Sequence, residues 1–392
     1  MERKKIQSLT LFLSLLVVAA FSLNACEKKP EKTYPSSLHA TYKGMETFYI
    51  AQDGDPNFSG SDGYFHITGV DYNDLSCKKC HDPQNSTYSP DDPNAIGCNK
   101  CHKGNDPSIP VENSTCLPCH SRQSREQALG IADVHATAKP NCTDCHTAKE
   151  MHGDGKTYKS MLETGAMETN CAACHTGTNS DGPTVPANHG GHDGKLDCAA
   201  CHLQTVISCY NCHFDTEVEK DQKKAYATFK DWLFLINDTR TGKVNAATFM
   251  SLVYKGGNTF NVFAPFHSHS VMKEGRTCSA CHNNDAIKLY TADGKIVVTQ
   301  FNDASGKVEQ KVKGVIPVID GKMEFDYMDY DSAADKWTFI ETGPEHTQYG
   351  YCTPLTDAQI AALQLNLGGL RQYILDNNLT GSFPDIPLDD AE

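Results

Sequence analysis

The sequence predicts a chain that is mostly coil with short helices, joined to a small β-rich part and a C-terminal helix. Three observations carry this expectation. Only 39% of the 392 residues are hydrophobic, and the mean hydropathy is −0.48, short of the apolar material with which a chain of this length builds ordinary cores. Cysteine and histidine are frequent instead, at 18 and 17 residues. The cysteines are not scattered: eight times the chain reads Cys-x-x-Cys-His.

The copies are Cys77-Lys-Lys-Cys80-His81, Cys98-Asn-Lys-Cys101-His102, Cys116-Leu-Pro-Cys119-His120, Cys142-Thr-Asp-Cys145-His146, Cys171-Ala-Ala-Cys174-His175, Cys198-Ala-Ala-Cys201-His202, Cys209-Tyr-Asn-Cys212-His213 and Cys278-Ser-Ala-Cys281-His282. A random chain of this composition would hold roughly 0.04 copies, so the repetition marks a repeated function. Two thiols three positions apart can reach both vinyl groups of one haem and form thioethers, and the adjacent histidine then supplies a proximal nitrogen to the iron. Zinc sites or disulfides would use the cysteines, but neither accounts for a histidine after every second cysteine. Eight covalently bound haem c groups are expected.

Nine histidines lie outside the motifs: His39, His66, His135, His152, His189, His192, His267, His269 and His346. Eight irons each need a second axial ligand, and six of these histidines closely precede a motif, so the nine are the candidate distal ligands. His39 and His346 stand near the two ends of the exported chain. His189-Gly-Gly-His192 ahead of Cys198-Ala-Ala-Cys201-His202 resembles the first haem segment of class III cytochromes c. That resemblance implies that His189 and His192 serve two different irons.

The elements are expected in the following order. Residues 1–25 read as a signal peptide, with a basic start at Arg3, Lys4 and Lys5 and an apolar stretch from Leu9 to Phe21 too short for a stable membrane span. Leu23-Asn24-Ala25-Cys26 resembles a bacterial lipobox, which implies a lipid anchor on Cys26; Glu27 in the next position favours the outer membrane. Residues 26–76 read as a lipid-anchored tether with loops. Within them Asp53-Gly-Asp55-Pro-Asn57 has the opening spacing of a calcium loop, but Phe58 and Tyr64 replace the glycine and glutamate that calcium binding needs, and a solvated turn is expected. Residues 77–213 hold seven motifs, too little chain to wall off seven porphyrins separately, so stacked haems are expected. Six residues separate His202 from Cys209, which makes those two haems a contact pair.

Residues 214–282 are expected to form a helix over Thr216–Ile236, with Phe229 and Trp232 packed on the haem core, then two strands around Gly256-Gly257 and the eighth haem. Residues 283–345 read as a β-meander with turns at Asp293-Gly294, Ser305-Gly306 and Asp320-Gly321. Residues 346–392 read as a C-terminal helix and tail, capped at Thr356 and Asp357, with Ile360, Leu363, Leu367, Leu370 and Ile374 on one face. Cys352 has no motif partner and reads as a buried thiol.

The whole resembles the multihaem c-type cytochromes, of an octahaem lipoprotein type, over residues 77–282. This implies an electron-transfer conduit in anaerobic or extracellular respiration, with low-potential bis-histidine haems. Its partners would be other multihaem cytochromes or extracellular acceptors. Two alternatives are carried: a reductase or oxidase of small nitrogen or sulfur oxyanions with one open haem, Lys103 or another lysine holding that position loosely, and a cytochrome filament subunit. The net charge of −14 falls further once Arg3, Lys4, Lys5 and Glu2 are removed, and so argues against nucleic acid as a partner.

Overall fold

Apolar residues are spread unevenly along the chain, and the fold follows their distribution. The computed structural model describes residues 30–52, 54–75, 101–175, 192, 194–255, 257–341, 345–376 and 385–386. Cys77, Cys80, His81, Cys98, His189, the leader, Cys26 and Asp53 lie outside the described residues. Among the described residues no helix is long and apolar enough to cross a membrane.

The expectation of mostly coil is overturned: the protein is a β-rich α/β fold around a nine-stranded mixed sheet. The strands are β1 (Phe58–Gly60), β2 (Ser208–His213), β3 (Lys224–Phe229), β4 (Trp232–Asp238), β5 (Lys243–Tyr254), β6 (Asn258–Pro265), β7 (Gly314–Pro317), β8 (Glu345–Gly350) and β9 (Cys352–Thr353). One side runs β1–β8–β6–β5. On its other side the long strand β5 divides. Its first half pairs antiparallel with β4, Phe234 opposite Ala247, while Leu252 and Val253 pair parallel with Cys212 and His213 of β2. Strand β4 continues to β7 and β9, and β2 continues to β3.

The reason for the correction is local. Trp232-Leu-Phe-Leu-Ile236 is a continuous apolar run, fully buried, and such a run fits a strand covered on both faces rather than an amphipathic helix. The expected helix over Thr216–Ile236 is therefore a short helix, Phe214–Lys220, followed by β3 and β4. Trp232 packs edge-on against Phe229, Phe234 and Tyr210. The Phe249, Phe263 and Phe325 rings extend this core at centroid separations of 4.8 and 5.0 Å. Polypeptide, not porphyrin, fills the interior here.

Three other segments differ from their sequence readings. Residues from 30 to 75 are not a loose tether: they carry helices Leu38–Thr41, Lys43–Ile50 and Tyr64–Thr68, and β1 joins the sheet through β8. Tyr49, Tyr64, Tyr72 and Leu75 are buried with Phe214, Tyr254 and Phe260; three of the four are tyrosines, which hydropathy underrates. Asp55 caps a turn through Asn57 N (2.9 Å). Residues 285–340 are not a simple meander. They open with helix Asp285–Asp293, send β7 into the main sheet beside β4, and form two antiparallel ribbons, Thr299–Asn302 with Lys307–Gln310 and Tyr327–Asp331 with Lys336–Ile340. The final helix is two helices, Asp357–Leu363, with a Thr356–Gln359 capping box, and Leu367–Asp376. Cys352 is buried in β9, and burial pushes its thiol pKa well up.

Residues 101–175 contrast with all this. Leu162 is the one buried apolar residue among them; the other buried side chains are Glu126, Glu150 and Ser160. We expect Phe249→Ala to lower stability by about 3–5 kcal/mol through the cavity it leaves, read as a shift in the urea midpoint, whereas Leu162→Ala should cost less because its surroundings can collapse.

Candidate haem sites

Most described motifs are single α-turns. Cys171–His175, Cys198–His202 and Cys278–His282 are each one short helix, and the same turn closes His120 N on Cys116 O (3.0 Å) and His146 N on Cys142 O (2.9 Å). An α-turn puts positions i, i+3 and i+4 on one side, as two thioethers and one axial bond to a single porphyrin require. Side chains from elsewhere fix these turns. Asp197 accepts Ala199 N (3.0 Å), and Asp385 accepts Cys278 N (3.1 Å) and Ser279 N (2.6 Å). Asn113 accepts Cys142 N (2.8 Å) and donates to Pro140 O (2.8 Å), tying the third motif to the fourth. Thr169 Oγ1 donates to Cys145 O (2.7 Å), tying the fourth to the approach of the fifth.

Five motif histidines each face one histidine from outside the motifs. The ring centroids are 6.2 Å apart for His120–His39, His102–His152 and His175–His135, and 6.3 Å for His146–His269 and His282–His192. Interplanar angles meanwhile range from 9° to 61°. Rings in direct contact vary in separation as their tilt varies; these do not. A metal–imidazole bond of about 2.0 Å, plus about 1.1 Å from nitrogen to ring centre, places two axial imidazoles about 6.2 Å apart whatever their rotation. The five pairs therefore fit a haem iron between their rings.

The outer ring nitrogens of two paired histidines, His146 and His135, support that fit, and His202 outside the pairs is held in the same way. His146 Nδ1 donates to Glu150 Oε2 (2.8 Å), and Glu150 Oε1 accepts Glu168 N (2.7 Å) and Thr169 N (2.5 Å). His135 Nδ1 lies 3.2 Å from Asp133 Oδ1. His202 Nδ1 donates to Met272 O (3.2 Å). Holding Nδ1–H on an oxygen leaves Nε2 as the free electron pair for a metal. Burial lowers the pKa of His120, His152, His269 and His282, and it takes His39 down to about 4, with His120 and His146 adding to the effect. Neutral imidazole is the form that binds metal.

The cysteines of successive motifs are neighbours. Burial and then Cys142, Cys101 and Cys119 push the Cys116 thiol up to about 11. Cys145 is raised by burial and by Cys174. Cys171 donates its proton towards Cys198, which takes Cys198 down to about 6. Cys281 is raised to about 12 by burial and Cys201. The second, third, fourth, fifth, sixth and eighth motifs thus form a continuous row.

Other predicted residues are placed differently. His66 lies on helix Tyr64–Thr68 with Nε2 on Ile50 O (3.0 Å) and Nδ1 beside Gln52 Nε2 (3.3 Å). His267 Nε2 lies 3.3 Å from Asp197 Oδ1. His346 sits on β8 opposite Phe260. Among the described residues these three do not stand across from a motif histidine. Lys103 pairs with Glu112 (3.1 Å) at the surface. Cys209, Cys212 and His213 lie on strand β2 rather than on a helix. Sequence reasoning missed Glu150 and Asp133, although their positions four residues after His146 and two before His135 were usable signals; Met272 and Asp329 reach their histidines by tertiary structure alone.

No model of a known protein family, no curated protein and no solved structure matches the chain.

Replacing one outer partner should open one iron. We expect His39→Ala and His269→Ala each to convert about one eighth of the haem from low-spin to high-spin, read by ferric electron paramagnetic resonance, while the haem content per chain stays constant.

Proposed function

We propose that the chain is an octahaem c-type cytochrome that conducts electrons in anaerobic or extracellular respiration. The observation that carries this reading is the set of five histidine pairs, each joining a Cys-x-x-Cys-His histidine to a distant one at 6.2–6.3 Å. When bound, the cofactor supplies reversible one-electron chemistry at iron.

The protein's own part is spacing, ligation and electrostatics. Sixteen motif cysteines would attach the groups irreversibly, so that a segment without an apolar core keeps them. Two imidazoles per paired iron leave no position for substrate and hold the potential low compared with methionine ligation. The carboxylate of Glu150 on His146 makes that imidazole a stronger donor and lowers the potential of its site further. Adjacent motif cysteines from the second to the sixth and on to the eighth supply the short steps that electron hopping needs. The acidic surface favours the oxidised, more positive form of each group and suits cationic partner surfaces. Export with a lipid on Cys26 would place this conduit at the outer membrane, within reach of other multihaem cytochromes or of extracellular acceptors.

The test is a haem count combined with a reductive titration of the holoprotein. We expect eight covalent haems and uptake of eight electrons over low potentials; zinc, or intact disulfides in place of haem, would overturn the reading. Glu150→Gln should raise the potential of one haem, on the order of tens of millivolts, visible as a single displaced step in spectroelectrochemistry.

A further inference from the structure

The stretch that follows β6 carries an arginine to the meeting point of two motifs. Arg276 N bonds the main-chain oxygen of Cys201 (3.1 Å), the second cysteine of the sixth motif. Its Nη2 donates to Leu203 O (2.6 Å) and Gln204 O (2.5 Å), just beyond His202. Gly275 borders the same imidazole, since a Cβ built there would lie 3.7 Å from His202 Nε2. The eighth motif begins two residues after Arg276, at Cys278. Burial raises the Cys201 thiol, and burial with Cys201 raises Cys281 to about 12; at both cysteines the guanidinium opposes the rise. The cation therefore stands beside the second attachment point of each of two motifs.

Its charge is not spent on a carboxylate. The bonds of Nη2 go to main-chain carbonyls, and Nε is buried without a hydrogen-bond partner. Among the described residues no acid forms an ion pair with Arg276, whereas Arg240 lies 2.6 Å from Asp238. Burial lowers the Arg276 pKa, yet a guanidinium stays protonated in proteins. Two carboxylates do approach these turns, but at the first cysteines. Asp197 accepts Ala199 N and meets His267, and Asp385 accepts Cys278 N and Ser279 N. At Cys281 the guanidinium acts more strongly than Asp385 does. The fourth site has the opposite sign, because the buried carboxylate of Glu150 holds His146 Nδ1. A buried cation favours the reduced, less positive form of a nearby iron, and a carboxylate on the imidazole favours the oxidised form.

We propose that Arg276 raises the potentials of the sixth and eighth haems and so makes them the end of the row where electrons collect, with the fourth haem upstream. The inference rests on the cytochrome reading above and adds a direction to it. Each transfer oxidises one ferrous iron and reduces a ferric iron nearer Arg276, with no bond formed or broken, and a partner cytochrome is the reductant. One unit charge about 10 Å away, at an effective dielectric of about 20, changes such an equilibrium by roughly tenfold. For a one-electron couple that is about 59 mV.

The experiment uses the intact holoprotein. Reductive spectroelectrochemistry compares it with Arg276→Gln and Arg276→Lys. In Arg276→Gln two of the one-electron steps should move to lower potential, each by roughly tenfold in its reduction equilibrium. Arg276→Lys keeps the charge and should recover most of that shift. Eight covalent haems with no step displaced in Arg276→Gln would sink the proposal while leaving the cytochrome reading intact. An equal shift in both variants would also overturn it, because lost main-chain bonds and not lost charge would then be the cause. A protein without covalent haem would instead end the underlying reading. Should Arg276→Gln fail to load its haems, the wild-type protein decides alone. The ferric low-spin signals missing from His192→Ala and from His269→Ala identify the eighth and the fourth haem. On stepwise reduction of the wild type the eighth signal should vanish before the fourth, and the reverse order would refute the proposal.

Discussion

The fixed separation of paired imidazoles is the constraint on which the motif-bearing half depends. His39 reaches His120, His192 reaches His282, and His146 reaches His269, each across a long stretch of sequence. Residues 101–175 bury almost no apolar side chain, so they cannot meet the entropy of ordering by hydrophobic burial. A ligand bridge between two distant histidines closes a loop in the same way as a disulfide or a structural zinc. On the cytochrome reading, several such bridges added to the thioethers would order a segment that buries few apolar side chains of its own.

The sheet supplies the rigid side of this arrangement. The join is the stretch from Phe266 to Arg276, which follows β6. Ser268 and Ser270 are buried and bond Thr205 O at 2.6 and 2.7 Å, and Gln204 N bonds Ser270 O (2.8 Å). With that backbone pinned, His269 is delivered to His146. Met272 O reaches His202, and Val271 O takes Val134 N (3.0 Å), one residue before His135. Arg276 spans the same join, donating to Leu203 O (2.6 Å) and Gln204 O (2.5 Å) between the sixth and eighth motifs. A stable all-protein core thus sets the geometry of three candidate haem sites, of which only that of His202 adds its own residues, Ala199 and Ala200, to the main core.

The motifs were legible because their spacing is local and no tertiary context alters it. Of the nine histidines outside the motifs, five stand across from a motif histidine. Which histidine meets which was not legible, since His39–His120 and His146–His269 are set by the fold and not by nearness in sequence. The sheet was missed for a different reason. Averaging hydrophobicity over the chain hid the contrast between the apolar stretch from Trp232 to Pro265 and the coreless stretch before it. The helical spacing of Ala225, Phe229, Trp232 and Ile236 was real but secondary, because Leu233, Phe234 and Leu235 fill the positions that an amphipathic helix would leave polar. The tyrosines at 49, 64 and 72 carried a core signal that a Lys-, Gly- and Asp-rich composition obscured.

The two ways of building a motif then have different consequences. An α-turn motif such as Cys171–His175 buries no side chain, so on the cytochrome reading a second axial histidine would be part of what holds it in place. The motif on β2 is supported by the sheet, through Tyr210, Asn211 and the pairing of Cys212 and His213 with β5. Its position does not depend on a second axial bond. Within that frame His213 meets Asp329 directly, with Nε2 3.3 Å from Oδ1. The sixth motif shares the support of the main core, since Ala199 and Ala200 between its cysteines are buried in it.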